Sequence, residues 1–138
     1  MKYFIILFNV FMIISCSKTP NDAPIASYQG VEAIVTFSVN MSPQIETGNF
    51  NVDNDYLDIA GNFLNNWNGT EDHLIDTDGD GIYKISFINL ESGDVIEFKF
   101  RINGSWDTAE FPGGANRTYT VEQGENSLEY WFNDENGN

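Results

Sequence analysis

Apolar and polar residues alternate along most of this chain with the period of two that a half-buried strand imposes. Val31, Ala33, Val35, Phe37, Val39 and Met41 fall on one face of such a strand, and Glu32, Thr36, Ser38 and Asn40 fall on the other. Residues 56–63 form a second candidate strand. In residues 82–90 the pattern turns Tyr83, Ile85 and Phe87 inward and Lys84 and Ser86 outward. Residues 95–102 alternate most cleanly, sending Ile96, Phe98, Phe100 and Ile102 to a core and Glu97, Lys99 and Arg101 to solvent. Leu128, Tyr130 and Phe132 repeat the pattern and leave Trp131 facing outward. Turn sequences divide these runs: Asp78-Gly79-Asp80-Gly81, Glu91-Ser92-Gly93-Asp94, Asn103-Gly104 and Pro112-Gly113-Gly114. No segment has a helical period. Short strands at this spacing predict an all-β fold, an immunoglobulin-like antiparallel β-sandwich, over residues 30–134.

The first residues do not fit that pattern. Lys2 is followed by an apolar run over residues 3–14, too short for the roughly 20 residues a membrane-spanning helix needs. It suits the apolar part of a secretion signal. Cys16 is the single cysteine, so no intramolecular disulfide can form. The sequence Met12-Ile13-Ile14-Ser15-Cys16 resembles a bacterial lipoprotein signal, which implies cleavage before Cys16 and lipidation of its thiol. Residues 1–15 are then a lipoprotein signal peptide, and residues 16–29 the lipidated Cys16 with a flexible tether. Residues 135–138 form a frayed tail. Asp22 does not directly follow Cys16, so no inner-membrane retention signal is evident. The expected location is exported and lipid-anchored, at a bacterial outer membrane.

The charge balance narrows the partners. A formal net charge of −15 disfavours nucleic acid and anionic lipid surfaces as ligands and favours neutral or cationic ones. Aromatic residues make up 14% of the chain, which argues for a packed domain rather than disorder.

Trp67 and Trp106 stand in polar, turn-rich surroundings with little apolar sequence beside them to complete their burial. Exposed indoles near a lysine and an asparagine suit a ligand with apolar faces and hydroxylated edges, which is the chemistry of a sugar. Asn103-Gly104 predicts a two-residue hairpin that pairs Ile102 with Ser105, Arg101 with Trp106 and Lys99 with Thr108. Trp106, Arg101 and Lys99 then share one exposed face. The plainer reading of that hairpin is a cation–π pair covering the sheet. Trp67 could likewise be a loop aromatic folded back onto the core.

Other clusters say less. Asp76, Asp78, Asp80 and Gly81 match part of a calcium loop, but Phe87 stands where a bidentate glutamate belongs. A tight acidic hairpin turn is the expected role, with calcium held by Asp76, Asp78 and Asp80 as the lesser alternative. His73 is the sole histidine, which excludes a multi-histidine metal site. No carboxylate pair is placed in a predicted cleft, so no catalytic residue is assigned and no cofactor is expected.

The order Gly61-Asn62-Phe63, Asn65-Asn66-Trp67, Phe98-Lys99-Phe100, Trp106 and Asn116-Arg117-Thr118-Tyr119-Thr120-Val121 resembles the starch- and glycogen-binding modules of carbohydrate-binding families 20 and 48. The resemblance runs over residues 31–134. It implies an immunoglobulin-like sandwich that binds α-1,4-glucans without catalysis. It also implies that Trp67 and Trp106 stack on successive glucose rings while Lys99 and Asn116 bond hydroxyls. Asp107, beside the second tryptophan, is a weaker carry-over. The chain departs from the family pattern at Leu64 and over residues 111–115, where residues are added. The resulting expectation is a lipid-anchored α-glucan-binding protein, with protein partners from a glycan-uptake system. The alternative is a structural or protein-interaction sandwich without sugar binding.

Overall fold

β-Branched and aromatic residues at alternate positions make the strands, and the faces they present divide them into two sheets. The structure, a computed structural model, describes residues 32–69 and 72–135. The leader, Cys16 and the tether lie outside the described residues. Strand β1 (Glu32–Asn40) is the centre of one sheet, between β3 (Ile82–Glu91) and β6 (Gly124–Trp131). The second sheet orders β2 (Leu57–Gly61), β4 (Val95–Ile102) and β5 (Arg117–Thr120), with β4 central. The all-β sandwich predicted from the alternation is therefore present.

Three of the four strand pairs are antiparallel, and β1 with β6 is parallel, in register from Ala33↔Gly124 to Asn40↔Trp131. Alternation fixes which face a residue takes but carries no information on strand direction, so this parallel pair is not visible in the sequence. Ser42–Glu46 form a one-turn helix, α1, with Pro43 in its first turn. At 5 residues it is too short to show a period.

The inward faces meet in an aromatic core. Phe37 is fully buried and packs edge-on against Phe98 at 4.9 Å between ring centres and against Phe87 at 5.9 Å. Such pairs add about 0.5–1.5 kcal/mol each beyond the area they bury. Tyr83, Ile85 and Phe87 pack against this core as the alternation predicted. Residues 133–135 belong to the fold. Asn133 Oδ1 accepts the Phe111 N–H at 2.7 Å, Asp134 pairs with Arg117 at 2.8 Å, and Gln44 Nε2 donates to Glu135 at 2.7 Å.

Candidate functional site

The outward face of the second sheet carries the site, and it is built on a buried ion pair. Register sets Asp58 on β2 opposite Arg101 on β4. Arg101 Nε donates to Asp58 Oδ1 at 3.0 Å and Nη2 to Oδ2 at 2.5 Å, with both side chains about 5% exposed. Gly69 closes over this pair in a left-handed conformation, φ +81°. A Cβ there would meet Arg101 Nη2 at 2.5 Å and Asp58 Oδ2 at 2.8 Å, so the close approach requires glycine.

Two loops bring the indoles onto this base. After β2, Asn62 extends the pairing with its side chain: Oδ1 accepts the Glu97 N–H at 3.0 Å, and Nδ2 donates to Val95 O at 3.2 Å. Then Asn65, Asn66 and Trp67 all take positive φ, at 42°, 52° and 71°. Asparagine tolerates this region, but a tryptophan there is strained by about 1–3 kcal/mol. On the other side, Asn103 and Gly104 turn the chain, with φ of 55° and 64°. Asn103 is fastened to the start of β2, donating from Nδ2 to Asp55 at 2.8 Å and accepting the Tyr56 N–H at 3.1 Å.

The tryptophans converge. Their ring centres are 6.1 Å apart at 48°, and Trp106 is 50% exposed. The Arg101 guanidinium lies 4.7 Å from the Trp106 ring centre, so one cation serves both the carboxylate and the indole. Tyr56 and His73 stack at 3.9 Å beside the same turn, and a Cβ on Gly104 would lie 3.2 Å from the Tyr56 hydroxyl.

The predicted hairpin register does not hold. Arg101 bridges to Ala109, not Trp106, because Trp106–Thr108 form a helical turn first. Ser105 Oγ accepts the Asp107 N–H at 3.2 Å and Thr108 Oγ1 donates to Ile102 O at 2.6 Å. These short polar side chains draw the backbone out of the ladder. Asp107 stands exposed in this turn.

Lys99 and Arg101 were expected in solvent, and both are buried, 6% and 4% exposed. The Lys99 ammonium donates to Phe111 O at 2.8 Å and Gly114 O at 3.0 Å, so it clamps the added loop at 111–115. Asn116, just beyond that loop, is exposed and donates to Glu97 at 3.5 Å. The structure thus joins Trp67, Trp106 and Arg101 in one cluster. Lys99 stands one row along the same strand, as a holder of the neighbouring loop.

Sequence reasoning missed the groups that hold these loops. Asp58 was signalled by being an acid inside an otherwise apolar strand, where a carboxylate must find a partner. Glu110 is fully buried and accepts Arg117 Nε at 3.0 Å, Arg117 Nη2 at 2.8 Å and the Phe100 N–H at 3.1 Å. Burial pushes its pKa above the ordinary glutamate value, even though the Arg117 bonds and charge oppose the shift.

Asp76, Asp78 and Asp80 have carboxylate oxygens within 4.8 Å of one another. Asp76 is already engaged, accepting the N–H groups of Gly79, Asp80 and Gly81 at 2.8, 3.2 and 2.9 Å. Desolvation is the largest single influence on Asp76 and raises its pKa, but those backbone N–H groups together with Asp78 outweigh it and hold the group low. That is the chemistry of a closed acidic turn between Ile75 and Lys84, which bridge each other.

No protein-family model matches the chain, and no curated protein sequence matches it. Solved structures do resemble it in fold. A glycoside hydrolase family 15 glucoamylase from Hypocrea jecorina overlays with a TM-score of 0.55 at 23% identity, over 74% of this chain and 17% of that one. A γ-CGTase from alkalophilic Bacillus clarkii overlays with a TM-score of 0.54 at 20% identity, over 75% of this chain and 15% of that one. The chain therefore spans less than a fifth of each enzyme. A looser overlay, TM-score 0.39 at 14% identity, is with the CBM25-2 module of a β/α-amylase from Paenibacillus polymyxa, over 71% of this chain and 83% of the module.

Proposed function

We propose that this protein binds α-glucan without catalysis, through a platform made by Trp67 and Trp106. The observation that carries this reading is the meeting of two indoles from distant loops, 6.1 Å apart, with one half exposed over a buried Asp58–Arg101 pair. A pyranose offers its C–H face to such rings and its hydroxyls to the polar groups around them. Rigid indoles lose little rotamer entropy on docking, and the strain at Trp67 marks a ring held in place before the ligand arrives. The choice of an α-glucan over another neutral sugar rests on the motif resemblance described above. A glucoamylase and a γ-CGTase share the fold over part of their chains, and a single sandwich of this kind is a carrier for a site rather than a cleft for hydrolysis.

A shallow platform of this kind binds with Kd on the order of micromolar to millimolar. Lipidation at Cys16 would hold the domain at a membrane, outer-membrane anchoring being part of this proposal, where it retains glucan for other proteins to degrade or import. The test is migration through a native gel containing amylopectin. The protein is expected to be retarded, and Trp67→Ala and Trp106→Ala, with folding intact, to run freely. Normal migration of the unaltered protein would remove the glucan reading.

A further inference from the structure

The outward face of the β3–β1–β6 sheet is sparsely charged, on a chain whose formal net charge is −15. Register lays part of this face out in three rows across the strands: Ser86, Thr36 and Ser127; Lys84, Ser38 and Glu129; Ile82, Asn40 and Trp131. These rows hold one cation and one anion, while Glu32, Glu91 and Glu125 stand at the far end of the same face. The Thr36 and Ser86 hydroxyls bond each other at 2.8 Å, and Asn40 Oδ1 accepts the Ser42 N–H at 2.9 Å. Covering groups that are already bonded costs little.

Apolar side chains lie open on this face. Ile34 is exposed, and the register shift between Ala33 and Val35 brings Ile88 beside it. Ile75 bridges Lys84 and so shares its face, one position beyond β3. Ile75 and Ile88 are 63% and 66% exposed, so nothing in the chain covers them. A face depleted of charge that carries isoleucines and an indole has the composition of the inner part of a protein interface.

The two charges in the middle row are unmet. Among the described residues, Lys84 is the single basic side chain without a partner: Lys99 holds two carbonyls, Arg101 holds Asp58 and Arg117 holds Glu110. The Glu129 carboxylate is unpaired as well. The two flank Ser38 from the neighbouring strands, with about 10 Å between their backbones. Between them lies a trough of about 420 Å³, floored by Ser38 and Asn40.

We propose that this face binds a second copy of the chain, about a two-fold axis parallel to the strands and between β1 and β3. That axis lays β3 of each copy along β1 of the other, as aligned sheets pack. Lys84 of each copy enters the other's trough, above Ser38 and beside Glu129, so two identical ion pairs form. Ile34 and Ile88 meet Ile88 and Ile34 of the other copy, and each Trp131 reaches the other's Ile75. A lone cation and a lone anion either side of a central strand are the charges such an axis satisfies in full. The net charge of −15 on each copy opposes approach, which sets Kd on the order of 0.1 mM and leaves the protein monomeric when dilute. Both tryptophan platforms stay uncovered, on the two far sides of the pair.

Sedimentation equilibrium from about 5 µM to about 1 mM tests this. The unaltered protein is expected to pass from monomer to dimer. Lys84→Glu and Glu129→Lys, with urea midpoints unchanged, should each raise Kd about tenfold or more, because each sets like charges against one another twice. An equimolar mixture of the two should dimerise to within about threefold of the unaltered protein, since its mixed pair restores both contacts. Ile88→Asp should remove the dimer, and Trp67→Ala and Trp106→Ala should leave it intact. A protein that stays monomeric at the highest concentration overturns the proposal. So does dimerisation that either charge reversal leaves unchanged, or a mixture that associates no better than its components. Loss of the dimer in Trp67→Ala or Trp106→Ala would place the contact on the opposite face and overturn it too.

Discussion

Arg101 and Trp106 face each other at 4.7 Å, and the same guanidinium grips Asp58 with two bonds beneath the ring. The indole thus rests on a cation that cannot move without breaking a buried pair. Arg101→Met is expected to cost about 3–5 kcal/mol, because it leaves the Asp58 carboxylate buried and uncompensated. Urea denaturation measures this, with Lys84→Ala as a surface control expected within about 0.5 kcal/mol of the unaltered protein. Adding Asp58→Leu to Arg101→Met should recover much of the loss, since removing both charges restores balance.

Lys99 is expected to act on sugar binding through the loop it holds. Lys99→Met leaves the Phe111 and Gly114 carbonyls without their charged donor, at an expected cost of about 1.5–3 kcal/mol. Amide hydrogen exchange should quicken over residues 111–116 and stay unchanged at Trp67 and Trp106. Quickening spread evenly over the domain would show that Lys99 supports the sandwich as a whole.

Glu110 gives stability a dependence on pH opposite to that of an ordinary paired carboxylate. Its folded pKa is raised by burial, so between the usual glutamate value and that raised value the folded chain keeps a proton the unfolded chain has lost. Stability from this group therefore falls as pH rises through the window. Asp55, lowered chiefly by the Asn103 side chain and the Asn51 backbone bond, and Asp76 contribute stability that is lost as pH falls through their folded values. Urea midpoints from about pH 4 to 7 should show a flatter decline with rising pH in Glu110→Gln than in the unaltered protein.

The acidic turn makes a separate prediction. Asp76→Ala removes the acceptor for three backbone N–H groups and should destabilise the domain by about 1 kcal/mol. That loss is expected in the presence of calcium and of a chelator alike. A melting temperature that rises with added calcium in the unaltered protein, and not in Asp76→Ala, would assign the turn to the metal instead.

The residues that alternate were readable, and those that alternate for another reason were misread. Residues 95–102 show the period of a strand with one wet face, yet Lys99 and Arg101 are covered. What covers them comes from elsewhere in the chain: the 111–115 loop over one, and Gly69 and Trp106 over the other. A charged residue at an outward position looks the same whether water or a loop lies above it. Trp67 and Trp106 were legible because indoles in polar sequence have no local core to enter. Their meeting depends on left-handed backbone at Asn65, Asn66 and Trp67, which composition only hints at through the two asparagines. The register after Asn103-Gly104 was lost to Ser105 and Thr108, whose side-chain bonds outcompete the hairpin ladder.

The parallel pairing of β1 with β6 determines how the domain carries tension. The chain enters the pair at Ala33 and leaves it at Trp131, at opposite ends of the shared ladder. A pull transmitted along the polypeptide slides the two strands lengthwise past each other, loading all their cross-links together instead of peeling them one by one. Were the same strands antiparallel, the seam would open like a zip.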